Sequence, residues 1–189
     1  MRVIGGEMKR RTLHAPAGWA TRPSSDRLRE SLFNILGERV RGALFVDAYA
    51  GTGAVGIEAY SRGARPVVWI ENAPAALQAL RANLAALQIP GCVIDRPAAA
   101  ALARLGALPQ VRAAGGADFI FLDPPYGQAR EYARALAALA RAPQLLHAAS
   151  TVVVESRRGW EPPLPAGLRL ARLHPSGDTQ LLFYTPAAS

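Results

Sequence analysis

From residue 43 onward, short apolar runs alternate with helical stretches, and that alternation limits the folds open to the chain. Ala43–Asp47 is an apolar run ending in an acid. Ala54–Arg62 reads as a helix, and Gly63 stands where a C-terminal glycine is expected. Pro66–Glu71 is a second apolar run ending in an acid. Ala75–Leu87 follows, with Leu77, Leu80, Leu84 and Leu87 on one side. Cys92–Asp95, the alanine-rich Ala98–Leu105, Asp118–Leu122, Arg130–Arg141 and Thr151–Glu155 continue the series. The order βαβαβαβαβ predicts a parallel sheet with helices on both faces. Leu168–Leu173 and Gln180–Thr185 break the rhythm. Only the turn Pro175-Ser176-Gly177-Asp178 separates them, so they are expected to pair antiparallel and close the sheet as a hairpin. At 189 residues the chain suits one domain and buries a core without disulfides or metal. Cys92 is its sole cysteine, which excludes an internal disulfide and a cysteine-ligated metal site.

The segment before residue 43 reads differently. Arg2-Val3-Ile4 and Arg11-Thr12-Leu13 are expected as short strands of a hairpin arm, bent at Gly5-Gly6. Pro16 and Gly18 then break regularity. A helix follows, capped by Ser25, with Asp26 and Glu30 in its first turns. Leu28, Leu32, Ile35 and Leu36 share one face, and Gly37 is the candidate end. The net charge is +8, and residues 1–22 carry half of it: Arg2, Lys9, Arg10, Arg11 and Arg22 against Glu7 alone. Such an arm suits a polyanion, nucleic acid first, with Lys9, Arg10 and Arg11 as its contacts. Arginine bias of a GC-rich genome also produces basic composition, but it does not explain this asymmetry. The start of the chain has no apolar run fit for a signal peptide, and no stretch nears the ~20 apolar residues of a membrane span. A cytoplasmic monomer is expected, with no membrane partner and no metal.

Asp47-Ala48-Tyr49-Ala50-Gly51-Thr52-Gly53-Ala54-Val55-Gly56 joins the first strand to a helix. Gly51, Gly53 and Gly56 spell G-x-G-x-x-G, and Glu71 stands twenty residues after Gly51 at the end of the next strand. That arrangement lets a backbone approach a nucleotide-like ligand while the acid takes its ribose hydroxyls. The ligand is a nicotinamide dinucleotide or S-adenosylmethionine. Asp47 favours the second, because a carboxylate repels a pyrophosphate but holds an ammonium group. The same acid also reads as a cap at the strand end.

Asp123-Pro124-Pro125-Tyr126 follows the fourth strand, at the edge where open α/β sheets bind ligands. Two prolines fix the backbone and remove two N–H donors, leaving a rigid turn of acceptors. An exocyclic amine on a base is a poor nucleophile, its lone pair delocalised into the ring. Acceptors gripping its hydrogens align it and favour the pyramidal, positively charged transition state. Tyr126 offers a face for stacking. His14, His147 and His174 are scattered, with no carboxylate or cysteine at metal-ligand spacing. Trp69 and Trp160 read as packing residues; Trp19 lies on the arm.

Several segments together resemble one family. They are Val3-Ile4-Gly5-Gly6, the run Arg22-Pro23-Ser24-Ser25-Asp26-Arg27-Leu28-Arg29-Glu30, the Asp47–Gly56 loop with Glu58-Ala59, and Asp123–Tyr126. The family is RsmD, the 16S ribosomal RNA guanine-N2 methyltransferases. The resemblance spans almost the whole chain, and the segment from Arg22 to Glu30 is its most specific part. It implies a class I S-adenosylmethionine methyltransferase fold, Rossmann-like, with arm 1–22 for RNA and residues 23–189 as the methyltransferase domain. It implies methylation of the N2 amine of guanine 966 in the small ribosomal subunit. The expected cofactor set is Asp47, Ala48, Gly51, Gly53, Glu71, Asn72, Asp95 and Arg22. Asp123 and Pro124 would receive the amine, Tyr126 would stack, and Arg22–Ser25 would lie near the methionine end of the cofactor. One departure is Asp95-Arg96-Pro97 after the third strand, where a polar residue often meets the adenine. Asp178-Thr179-Gln180 is a second variation and is assigned no role.

Three rivals remain at this stage. A DNA adenine-N6 methyltransferase also fits the acceptor turn but usually needs a reading domain. A nicotinamide oxidoreductase leaves Asp47 and Asp123–Tyr126 unexplained. A non-catalytic RNA-binding protein leaves the acceptor turn idle.

Overall fold

A computed structural model describes residues 1–16, 23–125, 127–164 and 166–187, with Pro23, Ser24 and Ser25 as backbone only. Gly18, Trp19, Arg22 and Tyr126 therefore lie outside the described residues, and because the helix expected to be capped by Ser25 already begins at Pro23, Ser25 falls within its first turn rather than at its N-cap. The strands are β1 Phe45–Ala48, β2 Val67–Ile70, β3 Cys92–Ile94, β4 Ala117–Leu122, β5 Leu146–Arg157, β6 Leu168–Ser176 and β7 Thr179–Pro186. The helices are α1 Pro23–Leu36, α2 Ala54–Ser61, α3 Pro74–Ala86, α4 Ala98–Leu105, α5 Pro109–Ala113 and α6 Ala129–Ala140, with short 3-10 turns at Gly37–Val40 and Pro143–Leu145.

They build one seven-stranded sheet in the order β3-β2-β1-β4-β5-β7-β6. β1 to β5 run parallel, and β7 lies antiparallel to both β5 and β6. This is the predicted arrangement, closing hairpin included. Strand periodicity divides the core in two. Phe45, Trp69, Phe119, Phe121 and Val153 pack against α1, α2 and α3. Val46, Val68, Ile120, Val152 and Val154 pack against α4 and α6. Sheet residues buried on both faces are why the runs read as continuously apolar rather than alternating.

Most boundaries move by a residue or two, but two differences have larger causes. β5 is twice the expected length because its first half is held by a side chain. Ser150 donates its hydroxyl to the Ala117 carbonyl (2.7 Å) and accepts from the His147 N–H (2.8 Å), bridging an irregular step in the β4–β5 register. The hairpin turn is also tighter than predicted. β6 continues through Ser176, leaving Gly177 (φ 61°) and Asp178 between the strands.

The arm forms one antiparallel bridge, Arg2 with Thr12, rather than two full strands, and its turn spans residues 5–10. Burial holds it down. Val3 and Leu13 are buried in the same cluster as Leu28, Leu32 and Phe33. Its polar anchor is Glu58 of α2, fully buried. Glu58 accepts the N–H groups of Ile4 (2.7 Å) and Gly5 (2.8 Å) and the Arg62 guanidinium (2.8 Å), with Arg29 at 3.7 Å. Burial pulls Arg29 below its usual range, against the raising charges of Asp26 and Glu58. Arg29 also donates to the Arg2 carbonyl (2.6 Å). Ser61 completes the attachment through Glu7, Met8 and Gly5.

Removing one member of a buried ion cluster leaves the others uncompensated. Glu58→Ala is expected to lower unfolding free energy by about 3–5 kcal/mol in urea titrations. Trypsin should also cut faster at Lys9, Arg10 and Arg11. Wild-type stability together with wild-type cleavage would show that Glu58 does not anchor the arm.

Candidate active site

The strand order reverses direction between β1 and β4, which open α/β sheets use as a ligand crevice. Ala48 of β1 pairs in register with Leu122 of β4, so the glycine loop and the acceptor turn leave the sheet side by side. Asp47 is buried, and its Oδ2 accepts the Gly56 N–H at 2.7 Å in the first turn of α2. It thus acts as the cap that the sequence left open. Glu71 reaches across the loop: Oε2 accepts the Gly51 N–H (2.8 Å), and Oε1 accepts those of Asn72 and Ala73 (2.7 Å each). A carboxylate offers about four acceptor positions, so one remains for a ligand hydroxyl. Gly53 has φ 85°, and a Cβ there would stand 2.4 Å from Leu80 Cδ1. A Cβ on Gly56 would stand 2.2 Å from the Trp69 indole nitrogen, so the third glycine of the motif serves helix-to-sheet packing.

Asp123 follows β4 and retains some exposed surface. Its carboxyl is held well above the usual carboxylate range, by burial first and then by the charges of Glu155 and Asp47. Burial pushes Asp47 up to about 7; the Gly56 N–H opposes this and the Glu71 charge adds to it. The carboxylates of Asp47 on β1 and Glu155 on β5 thus disfavour ionisation of Asp123, just after β4. The Tyr132 hydroxyl, on α6, lies 3.0 Å from the Glu155 carbonyl and 3.4 Å from that of Pro124, tying the acceptor turn to β5.

The remaining expected residues are less central. Ala48 is buried at the end of β1, and Asn72 is exposed beside Glu71. Asp95 is exposed beyond β3, 3.7 Å from Arg81 of α3. Lys9 and Arg10, in the turn that docks on Ser61, and Arg11, directly after it, are exposed on the arm. Arg22 and Tyr126 lie outside the described residues.

The family described as conserved hypothetical protein 95 matches residues 1–185. YlbH of Bacillus subtilis (strain 168), provisionally named an rRNA methyltransferase, is 35% identical over 187 residues, 97% of this chain and 98% of that protein. Ribosomal RNA small subunit methyltransferase D of Escherichia coli (strain K12) is 37% identical over 127 residues, 67% of this chain and 60% of its own length. The chain belongs to the RsmD family. A solved Escherichia coli structure, yhhF, provisionally titled a methyltransferase, covers 100% of this chain and 99% of its own at 30% identity and TM-score 0.81. The fold is that of the class I S-adenosylmethionine methyltransferases and the protein is a methyltransferase, which sets aside the oxidoreductase and the non-catalytic readings.

In this RsmD-family chain the sequence reading missed Glu155, Tyr132 and Asn83. Glu155 carried the same signal as Asp47 and Glu71, an acid ending an apolar run. Tyr132 sits on an amphipathic helix and looks like core. Asn83 is buried on α3; it accepts the His14 N–H (2.8 Å) and donates to the carbonyls of His14 and Thr52 (3.0 Å each), joining arm to glycine loop. No spacing reveals contacts of that range. The same holds for His147, which the fold brings 3.2 Å from Asp118, at the amino end of β4 and away from the site. Among the described residues no cluster of three or more His, Cys, Asp or Glu is placed to hold a metal. No helix there is long and apolar enough to cross a membrane.

A carboxyl raised on folding binds its proton more tightly in the folded state, so ionising it costs stability. Asp47 should make the ligand-free protein less stable as pH rises from about 4 to about 7, with no further loss above. Asp47→Asn keeps an oxygen for the Gly56 N–H and should flatten that dependence, gaining at least ~1 kcal/mol at pH 8. Denaturant titrations at several pH values check it; parallel curves for the two proteins would assign the pH dependence elsewhere.

Proposed function

We propose that this protein transfers a methyl group from S-adenosylmethionine to the N2 amine of a guanine in 16S ribosomal RNA, position 966 by the family resemblance. The observation that carries the reading is the pairing of β1 with β4, which sets the glycine loop beside the acceptor turn. The donor set fits the cofactor. Asp47 and Asp123 are carboxyls held above their usual range, and a cationic ligand between them relieves the repulsion. Glu71 has acceptor capacity left for one ribose hydroxyl, and Asp47 is assigned to the ammonium end. Ala48, Gly51 and Gly53 allow close backbone approach, Asn72 stands exposed beside Glu71, and the family resemblance adds Arg22 to the cofactor set. Asp95 is the candidate for the adenine amine. When bound, S-adenosylmethionine supplies an electrophilic methyl group on a sulfonium.

Asp123 and the Pro124 carbonyl accept the two hydrogens of the amine, and Tyr126 stacks on the base. That grip turns the nitrogen lone pair toward the methyl carbon and stabilises the positive charge that develops as the N–C bond forms and the C–S bond breaks. Its raised pKa equips Asp123 to take the surplus amine proton and pass it to water. The arm 1–22 is the RNA-contact module beside domain 23–189, with Lys9, Arg10 and Arg11 on phosphates.

Single-turnover transfer tests the chemistry. Asp123→Ala is expected to slow methylation at least ~100-fold with little change in cofactor affinity. Asp123→Asn should retain more activity if the side chain only grips the amine, and should match alanine if it must take the proton. Near-normal rates for Asp123→Ala would move the catalytic site elsewhere. Labelling of adenine in DNA rather than guanine in RNA would favour the adenine-N6 rival.

Binding titrations test the arm. Replacing Lys9, Arg10 and Arg11 with alanine should weaken RNA binding and reduce the slope of log K against log salt by up to about 3. An unaltered slope would make the run a solvated face.

A further inference from the structure

Beyond the acceptor turn lies an open groove of about 1090 Å³ that none of the roles above uses. Ala129 and Tyr132 form one wall, immediately after Asp123–Pro125. Arg157, Arg158 and Trp160 form another, beside Asp178 of the β6–β7 turn. The volume sits at the upper limit of small-ligand pockets, which run to about 1,000 Å³. Both arginines are exposed, and among the described residues neither guanidinium has an ion-pair or hydrogen-bond partner. Cations left unpaired beside a catalytic turn point to an anionic ligand.

The segment that carries them is held firmly. Gln180 is buried and serves it from three sides. Its Oε1 accepts the Gly159 N–H (3.1 Å), and its Nε2 donates to the Trp160 carbonyl (2.9 Å) and to Ser156 Oγ (3.2 Å). Ser156, also buried, donates to the Trp160 carbonyl (2.8 Å), and the Arg158 N–H donates to the Asp178 carbonyl (2.9 Å). The Trp160 ring meets the Tyr132 ring edge-on at 4.9 Å, and Tyr132 in turn lies against the Pro124 and Glu155 carbonyls. A loop so braced presents its charges without an ordering penalty when a ligand arrives.

We propose that this groove seats the phosphodiester strand flanking the target base, with Arg157 and Arg158 on its phosphates. The proposal rests on the RNA reading above. A base brought to Asp123 must leave its stack and draws its own backbone with it. That strand has to lie against the protein next to the acceptor turn, and the two free guanidiniums stand there.

The test is Arg157→Ala/Arg158→Ala beside a control, Arg112→Ala/Arg141→Ala, which removes equal charge from exposed helix ends at the opposite edge of the sheet. A labelled single-stranded fragment of 16S RNA is titrated over a range of salt, and S-adenosylmethionine is titrated separately. The first pair should weaken RNA binding at least ~10-fold and lower the salt slope by about 1.4, from 0.7 per phosphate on a single strand. Cofactor affinity should stay unchanged. Unchanged RNA affinity and slope, or an equal loss in the control, would overturn the groove assignment while leaving the methyltransferase reading intact. Wild-type protein that binds the cofactor but neither binds nor methylates RNA would overturn the substrate reading, and the groove with it.

Discussion

The Asp47 carboxylate receives the Gly56 N–H at a buried edge of the sheet, and the geometry of the loop between them sets what else can stand there. A loop rich in glycine is entropically costly to order. Here it is fixed by a polar contact from each neighbouring element: Asp47 from β1, Glu71 from β2 and Asn83 from α3. Underneath, Leu80 fills the space that a side chain at Gly53 would need, and Trp69 the space at Gly56. The loop's shape is therefore determined before any ligand binds. On the proposed function, two of the bracing groups, Asp47 and Glu71, are also the acids that would meet the cofactor. Preorganisation and binding would then share residues, and a substitution at Asp47 or Glu71 would disturb both.

That dual use has an electrostatic cost. Asp47 and Asp123 are raised mainly by burial, and each is raised further by acids on adjoining strands. An apolar replacement would remove the repulsion but also the acceptors. A cation at this edge resolves the conflict, which is why a sulfonium and ammonium ligand fits where a pyrophosphate does not. Glu58 shows the opposite solution on the other side of α2. It is equally buried, but two N–H groups and two guanidiniums surround it. A buried charge compensated in this way contributes less to net stability than to position. It fixes where the arm lies along α2.

The strand edges were legible because both their signals are local. Apolar runs ending in Asp47, Glu71 and Asp123 name the strands and the ligand edge together, and the glycine spacing follows from one tight turn. Contacts formed only by folding were not legible. Glu58 and Ile4 are 54 residues apart, and Asn83 and His14 are 69 apart; each looks like an ordinary helix residue. Gln180 sat in a segment given no role, yet it holds the Arg157–Trp160 loop through a strand pairing that sequence order alone leaves unspecified. The length of β5 was hidden for the same reason, since Ser150 substitutes a hydroxyl for regular ladder bonds.

Placement of the basic groups bears on what kind of substrate fits. α2 leaves the glycine loop and runs back along the sheet for eight residues, about 12 Å at the usual rise. Lys9 and Arg10 lie in the arm turn that docks on Ser61, the far end of that helix, and Arg11 directly follows it. Arg157 and Arg158 stand at the ligand edge, beside β5 rather than α2. The two cationic zones are thus separated both along the sheet and across it, with the acceptor turn near only one of them. On the proposed function, a free nucleoside or short oligonucleotide would reach the acceptor turn but not the arm. A folded RNA wide enough to touch both would be the substrate that uses all of the binding energy these charges offer. The acceptor turn would then select the amine, and the spacing of the charges the size of the molecule that carries it.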